Sequence, residues 1–166
     1  PPEDLVLKDA FLDAVKAGVA TLAAATSDGG PALIVGAPWR DGERRINAAL
    51  LLDGGEVKAV RAKVQLPNYG VFDEKRVFEA GQPAGPVVCR GVRLGLAVCE
   101  DMWTPDVAET FAESGTEIMV FLNGSPFERD KPDVRLAHAV ARAREAGLPL
   151  VYVNQVGGQD ELVFDG

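Results

Sequence analysis

Apolar and polar positions alternate with two different periods along the chain. Between Leu5 and Ala25, Phe11, Val15, Val19 and Leu22 form the stripe expected of a helix. Ser27-Asp28-Gly29-Gly30-Pro31 stops it. Ala32 to Gly36 is a short apolar run and reads as a buried strand. Arg45 to Leu52 reads as a second strand. Asp53-Gly54-Gly55 then turns the chain into a third, Glu56 to Val64. Gln65 to Glu79 breaks the pattern, mixing Pro, Asn, Gly and aromatic residues in a loop, a composition that tends to shape sites.

Beyond it, Val87 to Arg90 and Val92 to Val98 read as strands meeting near Gly91. A helix is predicted from Pro105 to Ser114, with Thr104 as N-cap and Pro105 in its first position. The strand Ile118 to Leu122, the loop Asn123 to Pro132 and the helix Asp133 to Ala146, ended by Gly147, follow. Leu150 to Asn154 is another strand. Gly157-Gly158-Gln159-Asp160 is expected to turn into Leu162 to Phe164. Hairpin-paired strands in the first half and strand–helix alternation in the second predict an α/β layered domain with a mixed sheet or two packed sheets.

Length changes this picture little: 166 residues suit one domain, and 47 % apolar residues supply a core. A net charge of −8 argues against nucleic acid and anionic membrane as partners. No run approaches the roughly 20 apolar residues of a membrane span. The opening PPEDLVLKDAF lacks the pattern of a secretory signal. Two cysteines make no disulfide framework, and a reducing compartment is the default. Pro1-Pro2 at the start and LVFDG at the close look like cut ends.

Several chemistries lack material. His138 is the only histidine, set among apolar residues and arginines, which weakens Ser-His and Cys-His triads. There is no CxxC for zinc and neither GxxxxGK[ST] nor GxGxxG for phosphate. The stretch GLAVCEDMW (95–103) is different. An apolar strand ends on Cys99 and a helix follows, and ligands of α/β sheets bind outside the carboxyl ends of strands. Read alone, Cys99 fits a small buried hydrophobe as well as a nucleophile. A thiolate needs a base or cation nearby. Lys63, between a strand and the aromatic-rich loop, is a better candidate than Lys8, Lys16 or Lys75. Glu74 in that loop would orient it, or form a surface ion pair.

KVQLPNYGVFDEKRVFEAG (63–81) and GLAVCEDMW resemble the lysine and nucleophile motifs of the nitrilase, or carbon–nitrogen hydrolase, superfamily. LPNYGVFDE followed by Phe is more particular, and resembles the glutaminase branch found in glutamine-dependent NAD⁺ synthetases. FLNGSPFERDK (121–131) and VYVNQVGGQDELVFDG (151–166) resemble that branch's substrate-pocket and closing segments. PPEDL resembles the tail of its GYPPEDL stretch.

The resemblance implies an α-β-β-α sandwich, here truncated at both ends, and a Glu-Lys-Cys triad. Cys99 would be the nucleophile and Lys63 the oxyanion-stabilising lysine, with Glu74 supporting Lys63. Tyr69, Ser125 and Lys131 match positions that contact the glutamine substrate, Lys131 standing where a relative carries arginine. Trp103 would wall the pocket, and the Glu100 backbone N–H would be the second oxyanion donor. Asp101, read from its place after Cys99 alone, fits a helix-entry or structural acid.

The general-base glutamate lies, in the family, just upstream of GYPPEDL; Glu3 is too late to serve. Residues 1–166 are thus expected to be a partial glutaminase domain, an internal fragment lacking its first strand and the ATP-dependent synthetase domain. No metal or cofactor is expected in it; ATP and Mg²⁺ would belong to that other domain. Glutamine, the synthetase domain and further copies in a homo-oligomer are the expected partners, in the cytoplasm. The alternatives are another amidase or carbamoylase of the superfamily, or a catalytically silent truncated domain.

Overall fold

A computed structural model describes residues 2–166, which form two compact units, 2–82 and 83–166. In the first, a 3-10 turn (Glu3–Leu7) leads into α1 (Asp9–Ala25). Three antiparallel strands follow, β1 (Leu33–Asp41), β2 (Arg44–Asp53) and β3 (Glu56–Ala62), in that spatial order. Ile46, Ala48, Leu50 and Leu52 project from one face of β2 and pack with Val19 and Ala23 of α1. Residues at alternate strand positions share a face, so one strand supplies a continuous apolar row to the helix.

The helix is rotated from the sequence expectation. Leu12, Val19 and Ala23 are its buried positions, while Leu22 is 44 % exposed and Phe11 only half-buried. Small Ala23 suits the close contact, and Leu22 lies on the solvent side. β1 also continues beyond Gly36 through Pro38, which stands opposite Asn47. Proline is tolerated there because β1 is the edge of this sheet.

The second unit contains β4 (Val87–Cys89), β5 (Val92–Val98), β6 (Ile118–Asn123) and β7 (Leu150–Asn154) in spatial order. β4 is antiparallel to β5, and β5, β6 and β7 are parallel. Crossovers run through α3 (Asp106–Glu113) and α4 (Lys131–Ala146). The continuous apolar runs of β5 and β6 are what a buried parallel strand requires. Gly95 lets α3 approach: a Cβ there would lie 2.7 Å from the Phe111 ring.

Helix ends differ in detail from the sequence reading. Thr104 does not cap α3; its hydroxyl donates to the Asp106 carboxylate instead. α4 starts at Lys131 with Pro132 in its first turn, and ends on Gly147 at φ +65° as expected. The chain closes with a hairpin of β8 (Val156–Gln159) and β9 (Leu162–Asp165). Gly157, Gly158 and Gln159 are therefore strand residues, and Asp160, at φ +51°, carries the turn.

Candidate active site

In the first unit the chain immediately after β3 builds a buried ion pair. Lys63 extends the ladder by one bond, its N–H donating to Asn47 O at 2.7 Å. Its own carbonyl accepts from Gly81 N–H at 2.7 Å. A Cβ on Gly81 would lie 2.6 Å from Ala62 O, so glycine permits this approach. The loop then doubles back: Phe72 N–H donates to Tyr69 O at 2.9 Å and Glu74 N–H to Pro67 O at 3.1 Å. This sets Glu74 at the start of α2 (Glu74–Val77).

Lys63 Nζ donates to both Glu74 oxygens, at 2.8 and 2.9 Å, and Asn47 Nδ2 reaches Oε1 at 3.5 Å. The lysine side chain is 2 % exposed and the glutamate 14 %. A buried ammonium requires such a partner. The Glu74 carboxylate is thus paired with Lys63 and largely withdrawn from the surface. Tyr69, in the same loop, is exposed and meets Phe72 edge to face, ring centroids 6.1 Å apart.

In the second unit Cys99 follows the last residue of β5 at φ +48°, left-handed backbone rare outside glycine. A 3-10 turn, Cys99–Met102, begins there. Asp101, 1 % exposed, accepts from Val98 N–H at 3.0 Å and ties the turn back to the strand end. Strand, strained cysteine and tight helical turn form an elbow, the geometry that presents a nucleophile at a sheet edge. Cys99 and Glu100 are both half-buried in it. Trp103 stacks on His138 of α4, centroids 4.6 Å apart and planes inclined by 23°. The single histidine therefore backs a candidate pocket wall.

Ser125 lies in the loop between β6 and α4, 4 % exposed. Lys131 opens α4 and its ammonium donates to Glu128 at 2.7 Å. Two residues not singled out in the sequence hold Ser125, and a third, Asp165, pairs with one of them. Asn154, at the end of β7, exchanges hydrogen bonds with the Ser125 N–H and C=O at 2.9 and 3.1 Å. Arg135 donates to Ser125 O at 3.4 Å and to both Asp165 oxygens at 2.8 and 2.6 Å. Hydrogen bonding to Asp165 holds the Arg135 guanidinium above its ordinary value, and holds the Asp165 carboxyl below its own. Burial pushes the Tyr152 phenol up, against the pull of neighbouring Arg135.

Neither cysteine is in a disulfide. Among the described residues, no group of three or more His, Cys, Asp and Glu side chains could hold a metal ion. No helix among them is long and apolar enough to cross a membrane.

The chain belongs to the carbon–nitrogen hydrolase family, which it matches over residues 8–166. Within that family it is 48 % identical to a glutamine-dependent NAD⁺ synthetase of Rhodobacter capsulatus, over 99 % of this chain and 30 % of the relative. The structure of such a synthetase from Acinetobacter baumannii, with ADP, matches 100 % of this chain and 31 % of its own, at TM-score 0.90 and 35 % identity. An amidase from Nesterenkonia sp. matches at TM-score 0.80 and 32 % identity, over 100 % of this chain and 62 % of its own. The chain thus spans about 30 % of the length of the curated synthetases it matches.

Proposed function

We propose that this chain carries the glutaminase chemistry of a glutamine-dependent NAD⁺ synthetase. The observation that supports it most is Lys63, a lysine buried to 2 % exposure yet kept as an ion pair by Glu74. A cation withheld from water is strong electrostatic stabilisation for an oxyanion. Cys99 attacks the side-chain amide carbon of glutamine as its thiol proton passes to a glutamate, which the family resemblance assigns just upstream of the GYPPEDL stretch whose tail is Pro1–Leu5. The tetrahedral oxyanion is stabilised by the Lys63 ammonium and the Glu100 backbone N–H. The C–N bond then breaks and the leaving nitrogen takes a proton, departing as ammonia. Water attacks the thioester, releasing glutamate and the thiol.

Tyr69, Ser125 and Lys131 bind the amino-acid part of glutamine, Lys131 pairing with its carboxylate, and Trp103 walls the acyl site. Domain organisation follows from the same reading. Residues 1–166 are part of a glutaminase domain, and a synthetase domain of the same protein uses ATP and Mg²⁺ to join the ammonia to deamido-NAD⁺. The enzyme works in the cytoplasm as a homo-oligomer.

The test is glutamate release from glutamine by the full-length protein, compared with Cys99→Ala and Lys63→Ala. Turnover that disappears in Cys99→Ala and falls at least about a hundredfold in Lys63→Ala is expected, the scale of losing one oxyanion donor. A folded protein that hydrolyses simple aliphatic amides but not glutamine would replace this reading with a plain amidase.

A further inference from the structure

We propose that Asn154 and Arg135 are positioning residues for substrate binding, acting through the backbone of Ser125. The inference rests on the glutaminase reading, in which Ser125 touches glutamine.

The Asn154 side chain behaves towards Ser125 as a neighbouring strand would. Its Oδ1 accepts from Ser125 N–H at 2.9 Å and its Nδ2 donates to Ser125 O at 3.1 Å, across 29 residues of sequence. The reversed amide would set N–H against N–H and oxygen against oxygen, so the orientation is fixed by the contact itself. Both backbone groups of one loop residue are thereby satisfied by one side chain.

The second hold is Arg135, only 5 % exposed on α4. It donates to Ser125 O while Asp165 of β9 neutralises it. The same hairpin reaches the loop again: Phe127 N–H donates to Val163 O at 2.7 Å. Strand β7, helix α4 and the β8–β9 hairpin therefore all grip the segment at 125–127. Loops ordinarily leave their backbone groups to solvent. Here the backbone of Ser125 is fixed twice, while among the described residues its hydroxyl makes no hydrogen bond. That combination suits a hydroxyl held in readiness for a ligand.

The test is steady-state glutamine hydrolysis by the full-length protein and its Asn154→Ala, Ser125→Ala and double variants. Asn154→Ala is expected to raise KM for glutamine about tenfold with kcat changed less than about threefold, the size of a lost net hydrogen bond or two. In the Ser125→Ala background the same change should add less than about threefold, because the clamp acts through a group already removed. Asn154→Asp is nearly isosteric and keeps the acceptor for Ser125 N–H. It should show the same KM-weighted loss and substitutes if the alanine variant fails to fold. An unchanged KM, a loss confined to kcat, or KM effects that multiply independently would overturn the proposal. The wild-type and Cys99→Ala controls separate the two readings. No glutamine turnover in the wild type, or full turnover in Cys99→Ala, overturns the glutaminase reading and this inference with it. Cys99-dependent turnover with a silent Asn154→Ala overturns the positioning role alone.

Discussion

Lys63 Nζ lies 2.8 Å from one Glu74 oxygen and 2.9 Å from the other, with both side chains largely withdrawn from water. Removing one member of such a pair leaves the other charged and buried. Glu74→Ala is expected to cost about 3–5 kcal/mol of folding stability. Replacing both at once, Lys63→Met with Glu74→Leu, should recover most of that loss, because no charge is then stranded. Denaturant unfolding checks this. The double variant should hydrolyse no glutamine despite its restored stability, which separates the chemical role of the pair from its place in the fold.

The elbow makes a prediction about backbone strain. Cys99 sits at φ +48°, where a Cβ is crowded and glycine is not. Cys99→Gly should therefore be more stable than Cys99→Ala by about 1 kcal/mol, though both lack the thiol. Chemical denaturation of the two variants decides it, and a Cys99→Ala protein as stable as Cys99→Gly would contradict the strain.

Asp101 holds the same turn. Asp101→Ala strands the Val98 N–H in a buried position, at an expected cost of about 1–3 kcal/mol. Asp101→Asn keeps an acceptor oxygen in place and should recover more than half of both stability and kcat. Equal losses in the two variants would show that the negative charge, not the hydrogen bond, is what the turn needs.

Acid should loosen the Ser125 clamp in a defined window. The folded-state pKa of Asp165 is depressed by Arg135, so the group binds its proton less readily folded than unfolded. Its stabilisation is therefore complete above the ordinary aspartate range, near about 3.9, and is lost as pH falls through the lower folded value. Thermal midpoints of wild type and Asp165→Asn, measured from pH 7 down to 3, should differ at neutral pH and converge towards the acid end. A gap that stays constant with pH would contradict the pairing.

Much of this was written locally in the sequence. The Asp53-Gly54-Gly55 turn, the stop at Gly147 and the strand ending at Val98, just before Cys99, depend on near neighbours, and the structure has them where the pattern does. Glu74 was legible only as a choice between two roles, and the distance to its buried partner was not legible at all. The face of α1 was misread because Phe11 and Leu22 outweigh Ala23 on any hydrophobic scale, whereas close packing against β2 favours the small residue. Gly157-Gly158 carries the composition of a turn but pairs with β9. Asn154 and Arg135 gave no signal, because their partners lie from 10 to 30 residues away and an arginine in an amphipathic helix ordinarily faces solvent.

The measurement that bears most directly on the account is the covalent state of Cys99 during turnover. Full-length protein mixed with glutamine, quenched in acid within milliseconds to seconds and digested, should yield the peptide containing Cys99 carrying a glutamyl group in thioester linkage. The peptide containing Cys89 should be unmodified, and Cys99→Ala should carry no adduct. Glutamine turnover with no acyl group on Cys99 at any time, or with the adduct on Cys89, would contradict the assignment of Cys99 as nucleophile.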